Sequence, residues 1–360
     1  MTTDDLDTPC LVVDLDRLQR NIAVWQSTAT AAGKRLRPHM KTHKTVEIAG
    51  MQRDAGASGI TVAKVAEAEL YADAGFEDVV IAYPVTGDAK WARVAALAGR
   101  ARIAVNVENP TALRGLSAAA AAAGTTVGVW LDVDSGLGRC GVPIDRPDDV
   151  IALGRLVGEL PGLRLDGLTT YRGLGFAGAD AVDPPRAGRD EGELLAELAS
   201  ALGVAEIAAG STPTGRGVAE VAAVTEIRAG TYVFNDLMQL RWGSAAEPDL
   251  ALSILATVVS TNREGRLTVD AGSKTFSGDA VLSDEHGRVV ARSIEGDVVL
   301  DGLTEEHGVG RRSRQVEVGD RLRFVPVHVC TCVNLSDELY AVRGDRVEAV
   351  WPVAARGFRT

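Results

Sequence analysis

From about residue 35 to residue 228 the chain repeats one pattern: a short apolar run rich in β-branched residues, then a helical stretch, with turn residues between. Strand-like runs at residues 35–36, 59–62, 78–83, 101–107, 127–133, 165–171, 205–209 and 226–228 alternate with helical spacing that closes near residues 55, 74, 124, 160 and 202. Parallel strands buried on both faces read as continuous apolar segments, as most of these do. About eight such units over roughly 230 residues is the spacing of a (β/α)₈ barrel, in the α/β class. A doubly wound open sheet is the competing architecture. It would put a glycine-rich phosphate turn after the first strand, and the sequence has none there.

After about Trp242 the pattern changes to paired strands with hairpin turns, at residues 258–269, at Ser283-Asp-Glu-His-Gly and at Arg343-Gly-Asp. The expected organisation is therefore a barrel over residues 10–245 and a mostly β domain over residues 246–360. Residues 1–9 should pack with the β domain, and the strand-like Leu11 to Val13 needs a partner there. The 360 residues carry 46% hydrophobic and 24% charged residues, a soluble globular balance. The net charge of −11 argues against a nucleic-acid surface. No apolar run reaches bilayer length, and the first residues lack a secretory pattern, so a cytoplasmic setting without membrane contact is expected. Four scattered cysteines, Cys10, Cys140, Cys330 and Cys332, do not make a disulfide framework.

Barrel sites are built at the C-terminal ends of strands. The first strand runs into Arg37-Pro-His-Met-Lys-Thr-His-Lys, where crowding and partial burial disfavour the ammonium form and prepare a lysine as a nucleophile toward an aldehyde. A solvated basic turn is the plainer interpretation. The fifth strand ends in Asp132, Asp134 and Ser135-Gly-Leu-Gly-Arg139-Cys-Gly, and the sixth in Tyr171 and Arg172. The seventh ends in Gly210-Ser-Thr-Pro-Thr and the eighth in Gly230-Thr-Tyr-Val-Phe-Asn-Asp, small-residue turns where barrels commonly hold phosphate. In the β domain, His328 and Cys330 stand two apart; on a strand they share a face and can grip one ion, unless they are simply core residues.

Taken together with Asp270-Ala-Gly-Ser-Lys, Glu305-Glu-His-Gly, Pro326-Val-His-Val-Cys and Trp351-Pro-Val-Ala-Ala-Arg-Gly, these motifs resemble the D-serine dehydratase and D-threonine aldolase family. The resemblance implies an alanine-racemase-type barrel that uses pyridoxal 5′-phosphate. It implies that Lys41, rather than Lys44, forms the Schiff base and handles the α-proton, with His39 beside it. It also implies that Arg139 faces the cofactor's phenolic oxygen, that Tyr171 packs near the ring, and that Gly210, Ser211 and Thr212 with Gly230, Thr231 and Tyr232 hold the phosphate. It implies a divalent metal on His328 and Cys330. A thiolate ligand suits zinc, with manganese or magnesium as alternatives. A head-to-tail homodimer follows from the same resemblance.

Two reactions on β-hydroxy D-amino acids compete. Dehydration gives a 2-oxo acid and ammonia, and retro-aldol cleavage gives glycine and an aldehyde. Cys330 stands where the aldolases tend to carry aspartate, and Leu174 where they tend to carry histidine. The expectation is therefore dehydration of D-serine, D-threonine or 3-hydroxyaspartate, Arg172 being a possible mark of an acidic substrate. A non-catalytic pyridoxal-phosphate carrier would need neither the β domain nor its metal pair. A racemase would need an opposite-face tyrosine, for which Tyr340 is badly placed. Cys332 has no assigned role.

Overall fold

The computed structural model describes residues 1–174 and 183–360. The chain divides into two compact units, one of residues 23–41, 48–230 and 358–360, the other of residues 1–22, 42–47 and 231–357. In chain order, β1 (Cys10–Asp14) and α1 (Leu15–Ala31) lead to β2 (Arg35–Leu36), α2 (Val46–Asp54), β3 (Ile60–Val62), α3 (Val65–Asp73), β4 (Asp78–Ile81), α4 (Asp88–Leu97) and β5 (Arg102–Val107). Then come α5 (Pro110–Ala123), β6 (Val127–Asp134), β7 (Val142–Pro143), α6 (Pro147–Glu159), β8 (Leu163–Thr170), α7 (Pro184–Leu202), β9 (Ile207–Ala209), α8 (Gly215–Ala219) and β10 (Glu226–Ile227).

Eight of these strands form a parallel sheet in the order β2-β10-β9-β8-β6-β5-β4-β3, with β7 beside β6. A bridge between His39 and Thr61, with the amide of Ser58 bonded to the Leu36 carbonyl at 2.9 Å, joins the two ends into a barrel. Helix ends follow local chemistry. Asn109 accepts from the Ala112 amide ahead of Pro110, and Gly124 at φ +65° closes α5; Asp183 and Gly203 do the same for α7. Val80, Ala104, Trp130 and Ala208 pack together as one core cluster. The Trp130 ring leaves no room for a side chain at Gly167, where a Cβ would lie 2.6 Å from it.

The cationic crowding expected around residue 37 is not what the fold makes of that segment. Arg37 is buried against Glu226 at 2.8 Å and Asp78 at 2.7 Å, residues at the starts of β10 and β4, so its charge is compensated at the strand beginnings. Lys44 adopts φ +53° and its Nζ donates to the Ala355 carbonyl at 3.3 Å.

The second unit holds α9 (Leu237–Arg241), β11 (Leu252–Ser260), β12 (Arg266–Val269), α10 (Ser273–Phe276), β13 (Leu282–Asp284), β14 (Gly287–Val289), β15 (Ala291–Ser293), β16 (Val298–Leu303), β17 (Gly308–Arg312), β18 (Arg321–Pro326), α11 (Val329–Leu335), β19 (Glu338–Arg343) and β20 (Arg346–Pro352). Its main sheet runs β12-β17-β16-β15-β18-β11-β1-β19-β20. The N-terminal β1 thus finds its partners here, antiparallel to β11 and parallel to β19. Two sequence motifs meet in this unit. The Ser273 amide bonds to Thr304 O at 2.7 Å, and Lys274 Nζ reaches the Glu306 carboxylate at 2.5 Å.

Candidate active site and metal pair

At the barrel's C-terminal strand ends, Lys41 and Arg139 converge on one ring. Lys41 Nζ lies 5.6 Å from the Tyr171 centroid, and the Arg139 guanidinium 4.9 Å from it. His39, two residues before Lys41, accepts from the Lys41 amide through Nδ1 at 3.3 Å, and its own amide donates to the Ala229 carbonyl on the neighbouring strand end. Met40–Thr42 form a short 3₁₀ turn that carries the lysine.

Behind these residues lies a buried polar layer. Asp132 accepts from Asn106 Nδ2 at 3.3 Å. Burial pushes its carboxyl up to about 6, opposed by the Arg228 charge. Arg228 donates from Nη2 to the Thr170 carbonyl at 3.0 Å, while its buried Nε has no partner among the described residues. Burial also weakens its hold on a proton, against the pull of Asp132 and Glu226. Asp134 plays a different part from Asp132: it gathers the amides of Gly136, Leu137 and Gly138, shaping the loop that presents Arg139.

The seventh-strand turn is held from below by Glu191 of α7. Its Oε1 accepts from the Gly210 amide at 2.6 Å and from Thr214 Oγ1 at 3.4 Å. The Ser211 amide donates to Thr214 Oγ1 at 3.0 Å. The Gly210 and Ser211 amides are therefore already engaged inside the turn. A phosphate there would displace these bonds or use other donors. Burial pushes Glu191 up to about 7, opposed by the Gly210 amide. Thr231 and Tyr232, in the second unit, form a 3₁₀ turn in which Tyr232 is fully buried. Arg172 pairs with Asp190 at 3.5 Å, and Leu174 is buried.

His328 and Cys330 do come together, but not on a strand. β18 ends at Pro326, His328 caps α11, and Cys330 lies in its first turn. A helix beginning, not strand alternation, places them side by side, and the two side chains hydrogen-bond to each other. Cys330 Sγ also donates to Thr42 Oγ1 at 3.4 Å. Burial alone would lower the His328 pKa, but Cys330 and the Asp279 carboxylate outweigh it and push it up to about 11. Cys332 does not face the same way: it is buried, with Sγ donating to the Phe276 carbonyl at 3.1 Å. Beneath the pair, buried Asp236 accepts from the Val329 amide at 3.2 Å. Among the described residues no group of three or more His, Cys, Asp or Glu side chains is arranged to hold an ion.

Both implied groups pass a test of fit. An amine and a guanidinium against one aromatic ring, with an unpartnered buried N–H donor at Arg228 in the same unit, suit a flat anionic ring that carries acceptors. An imidazole nitrogen and a sulfur already within hydrogen-bond reach of each other suit a borderline-soft divalent ion. Sequence reasoning missed Arg228, Glu191 and Asp279. A charge set in the apolar Glu226-Ile-Arg-Ala run was the available signal for Arg228, whereas Glu191 and Asp279 carry none.

The family described as "Alanine racemase, N-terminal domain" matches residues 13–237, and "Putative serine dehydratase domain" matches residues 251–342. The chain is 36% identical to a D-threo-3-hydroxyaspartate dehydratase from Delftia sp., over 96% of this chain and 97% of that protein. A crystal structure of a D-threonine aldolase from Filomicrobium marinum superposes with a TM-score of 0.88 at 32% identity, covering 98% of this chain and 96% of that one. A cysteine-to-alanine mutant of D-threo-3-hydroxyaspartate dehydratase, in a metal-free form, superposes with a TM-score of 0.86 at 33% identity, covering 98% of each chain. No described helix is long and apolar enough to cross a membrane.

Proposed function

The chain belongs to the family that joins an alanine racemase N-terminal domain to a serine dehydratase domain, and from that premise we propose a pyridoxal-phosphate- and metal-dependent lyase that dehydrates β-hydroxy D-amino acids. When bound, the cofactor would withdraw electrons from the substrate's α-carbon and the divalent ion would draw charge from its β-hydroxyl.

The chain's own residues supply the rest. Lys41 Nζ would hold the cofactor's aldehyde and take or return the α-proton. Tyr171 would give a flat wall, and Arg139 would face the phenolic oxygen. Arg228 would offer its buried Nε–H to an acceptor on the ring. Gly210, Ser211 and Thr212, with Gly230, Thr231 and Tyr232, would hold the phosphate, and His328 and Cys330 the metal, zinc being the ion that suits a thiolate. The same proposal includes a homodimer.

The observation that carries dehydration over cleavage is the pair of side chains at the two discriminating positions. Cleavage needs a base on the β-hydroxyl, and Leu174, buried and apolar, offers none. Cys330 beside His328 would give the ion a sulfur ligand instead of a carboxylate. The test is purified holoenzyme with D-threo-3-hydroxyaspartate, D-serine and D-threonine, scored for both product sets. A 2-oxo acid with equimolar ammonia is expected. Glycine without release of ammonia, paired with acetaldehyde from D-threonine or glyoxylate from 3-hydroxyaspartate, would reverse the choice to retro-aldol cleavage, the activity named for the aldolase relative.

A further inference from the structure

We propose that Asp279 is the positioning residue of the metal pair, fixing the His328 ring so that Nε2 is the nitrogen presented to the ion. This rests on the metal site proposed above, but on an observation independent of it. Asp279 Oδ2 lies 2.6 Å from His328 Nδ1. The other oxygen, Oδ1, accepts from Thr331 Oγ1 at 2.8 Å and Ser277 Oγ at 3.0 Å.

The geometry dictates the tautomer. A carboxylate only accepts, so Nδ1 keeps the proton of the shared bond and Nε2 is the nitrogen that can yield its proton and ligate an ion. Two hydroxyls, one on α11 itself and one on the loop after α10, fix the carboxylate from behind. Thr331 lies one residue beyond Cys330, so the same helical turn that carries the sulfur also anchors the acid that orients the imidazole. Carboxylate–histidine–metal arrangements of this kind set ring orientation and ligand basicity, and their loss typically weakens metal binding about 10–100-fold. Neither the spacing of the ligands nor the strand pattern points to Asp279, which is 49 residues away in sequence from the ring it holds.

The substitution Asp279→Asn is the sharp test. Its carboxamide is nearly isosteric, but its NH₂ can donate to Nδ1 and so favour the tautomer with the proton on Nε2, which cannot ligate. The full-length protein is stripped with chelator, and Zn²⁺ affinity is measured by competition with a chromophoric chelator for wild type, Asp279→Asn, Asp279→Ala and Cys330→Ala. Co²⁺ loading then reports the ligand set through its d–d and thiolate-to-cobalt bands. The expected result is one ion per chain in wild type, and a 10–100-fold loss in Asp279→Asn with the cobalt bands retained. Asp279→Ala, in which water replaces the acceptor, should lose less than Asp279→Asn.

Unchanged affinity in Asp279→Asn, with Cys330→Ala impaired, would overturn the role of Asp279 alone. Cobalt bands that change geometry in Asp279→Asn would make Asp279 a direct ligand and likewise overturn it. Wild-type protein that takes no ion, or Cys330→Ala that binds as wild type, would overturn the metal pair itself and Asp279's role with it. Near-ultraviolet circular dichroism of each variant checks that the fold is kept.

Discussion

Glu191→Gln should change the pH dependence of stability more than stability itself. Glu191 is buried under the seventh-strand turn, with its carboxyl pushed from an ordinary 4.5 to about 7. The folded protein therefore binds this proton more tightly than the unfolded chain does. Between pH 4.5 and 7 it holds more protons than the unfolded state, so unfolding free energy falls as pH rises through that window and levels off above it. A shift of this size corresponds to about 3 kcal/mol lost between pH 4.5 and pH 8. Glutamine keeps an acceptor for the Gly210 amide and the Thr214 hydroxyl but cannot ionise. Its buried NH₂ needs a partner and costs about 1–3 kcal/mol at every pH if it finds none. Urea unfolding of wild type and variant at pH 5 and pH 8, followed by tryptophan fluorescence, separates the two effects. The variant should gain about 2–3 kcal/mol relative to wild type on going from pH 5 to pH 8. A stability difference between the two proteins that is the same at both pH values would refute the assignment of a proton to this carboxyl.

Borohydride reduction of the protein with pyridoxal phosphate should leave a stable adduct on the peptide containing Lys41. Lys41→Ala should abolish it and Lys44→Ala should retain it, as read by mass spectrometry; an adduct that survives Lys41→Ala would move the assignment elsewhere. Gly115→Ala should destabilise, against alanine's advantage of about 1 kcal/mol within a helix. A Cβ there would lie 2.3 Å from the Trp91 ring, itself pinned by a 2.9 Å bond from Nε1 to the Val85 carbonyl. Overpacking of about 1–3 kcal/mol should lower the melting temperature in differential scanning calorimetry, and an unchanged or raised value would show that Trp91 yields.

The barrel was legible because strands such as β3 and β4 are covered on both faces and stand out as apolar runs, whereas β2 (Arg35-Leu36) and β10 (Glu226-Ile227) are two residues long and are legible only from the rhythm of the units around them. The convergence of Lys41, Arg139 and Tyr171 was legible for a related reason: each follows the C-terminal end of a strand. The run from Pro326 to Cys330 misled because Val327 and Val329 are both buried, a pattern that strand alternation and a capped helix start satisfy equally. The fate of Arg37 depends on Glu226 and Asp78, which its immediate sequence neighbours do not disclose. Glu191 and Asp279 lie in a helix and a turn whose local patterns are ordinary; only the fold brings them to the groups they support.

The place of β1 constrains how this protein can be made and divided. Residues 10–13 pair with residues 252–255, and residues 12–14 with residues 340–342. On the ribosome, residues 10–14 must wait unpaired until residues 252–255 and then 340–342 have emerged. A fragment cut at residue 246 would lack its middle strand and expose two ladder edges, an invitation to self-association. The same gap is a socket for a peptide of residues 1–22: supplied in trans, that short piece has the register to restore the sheet, which makes the two ends of this chain the halves of a split protein.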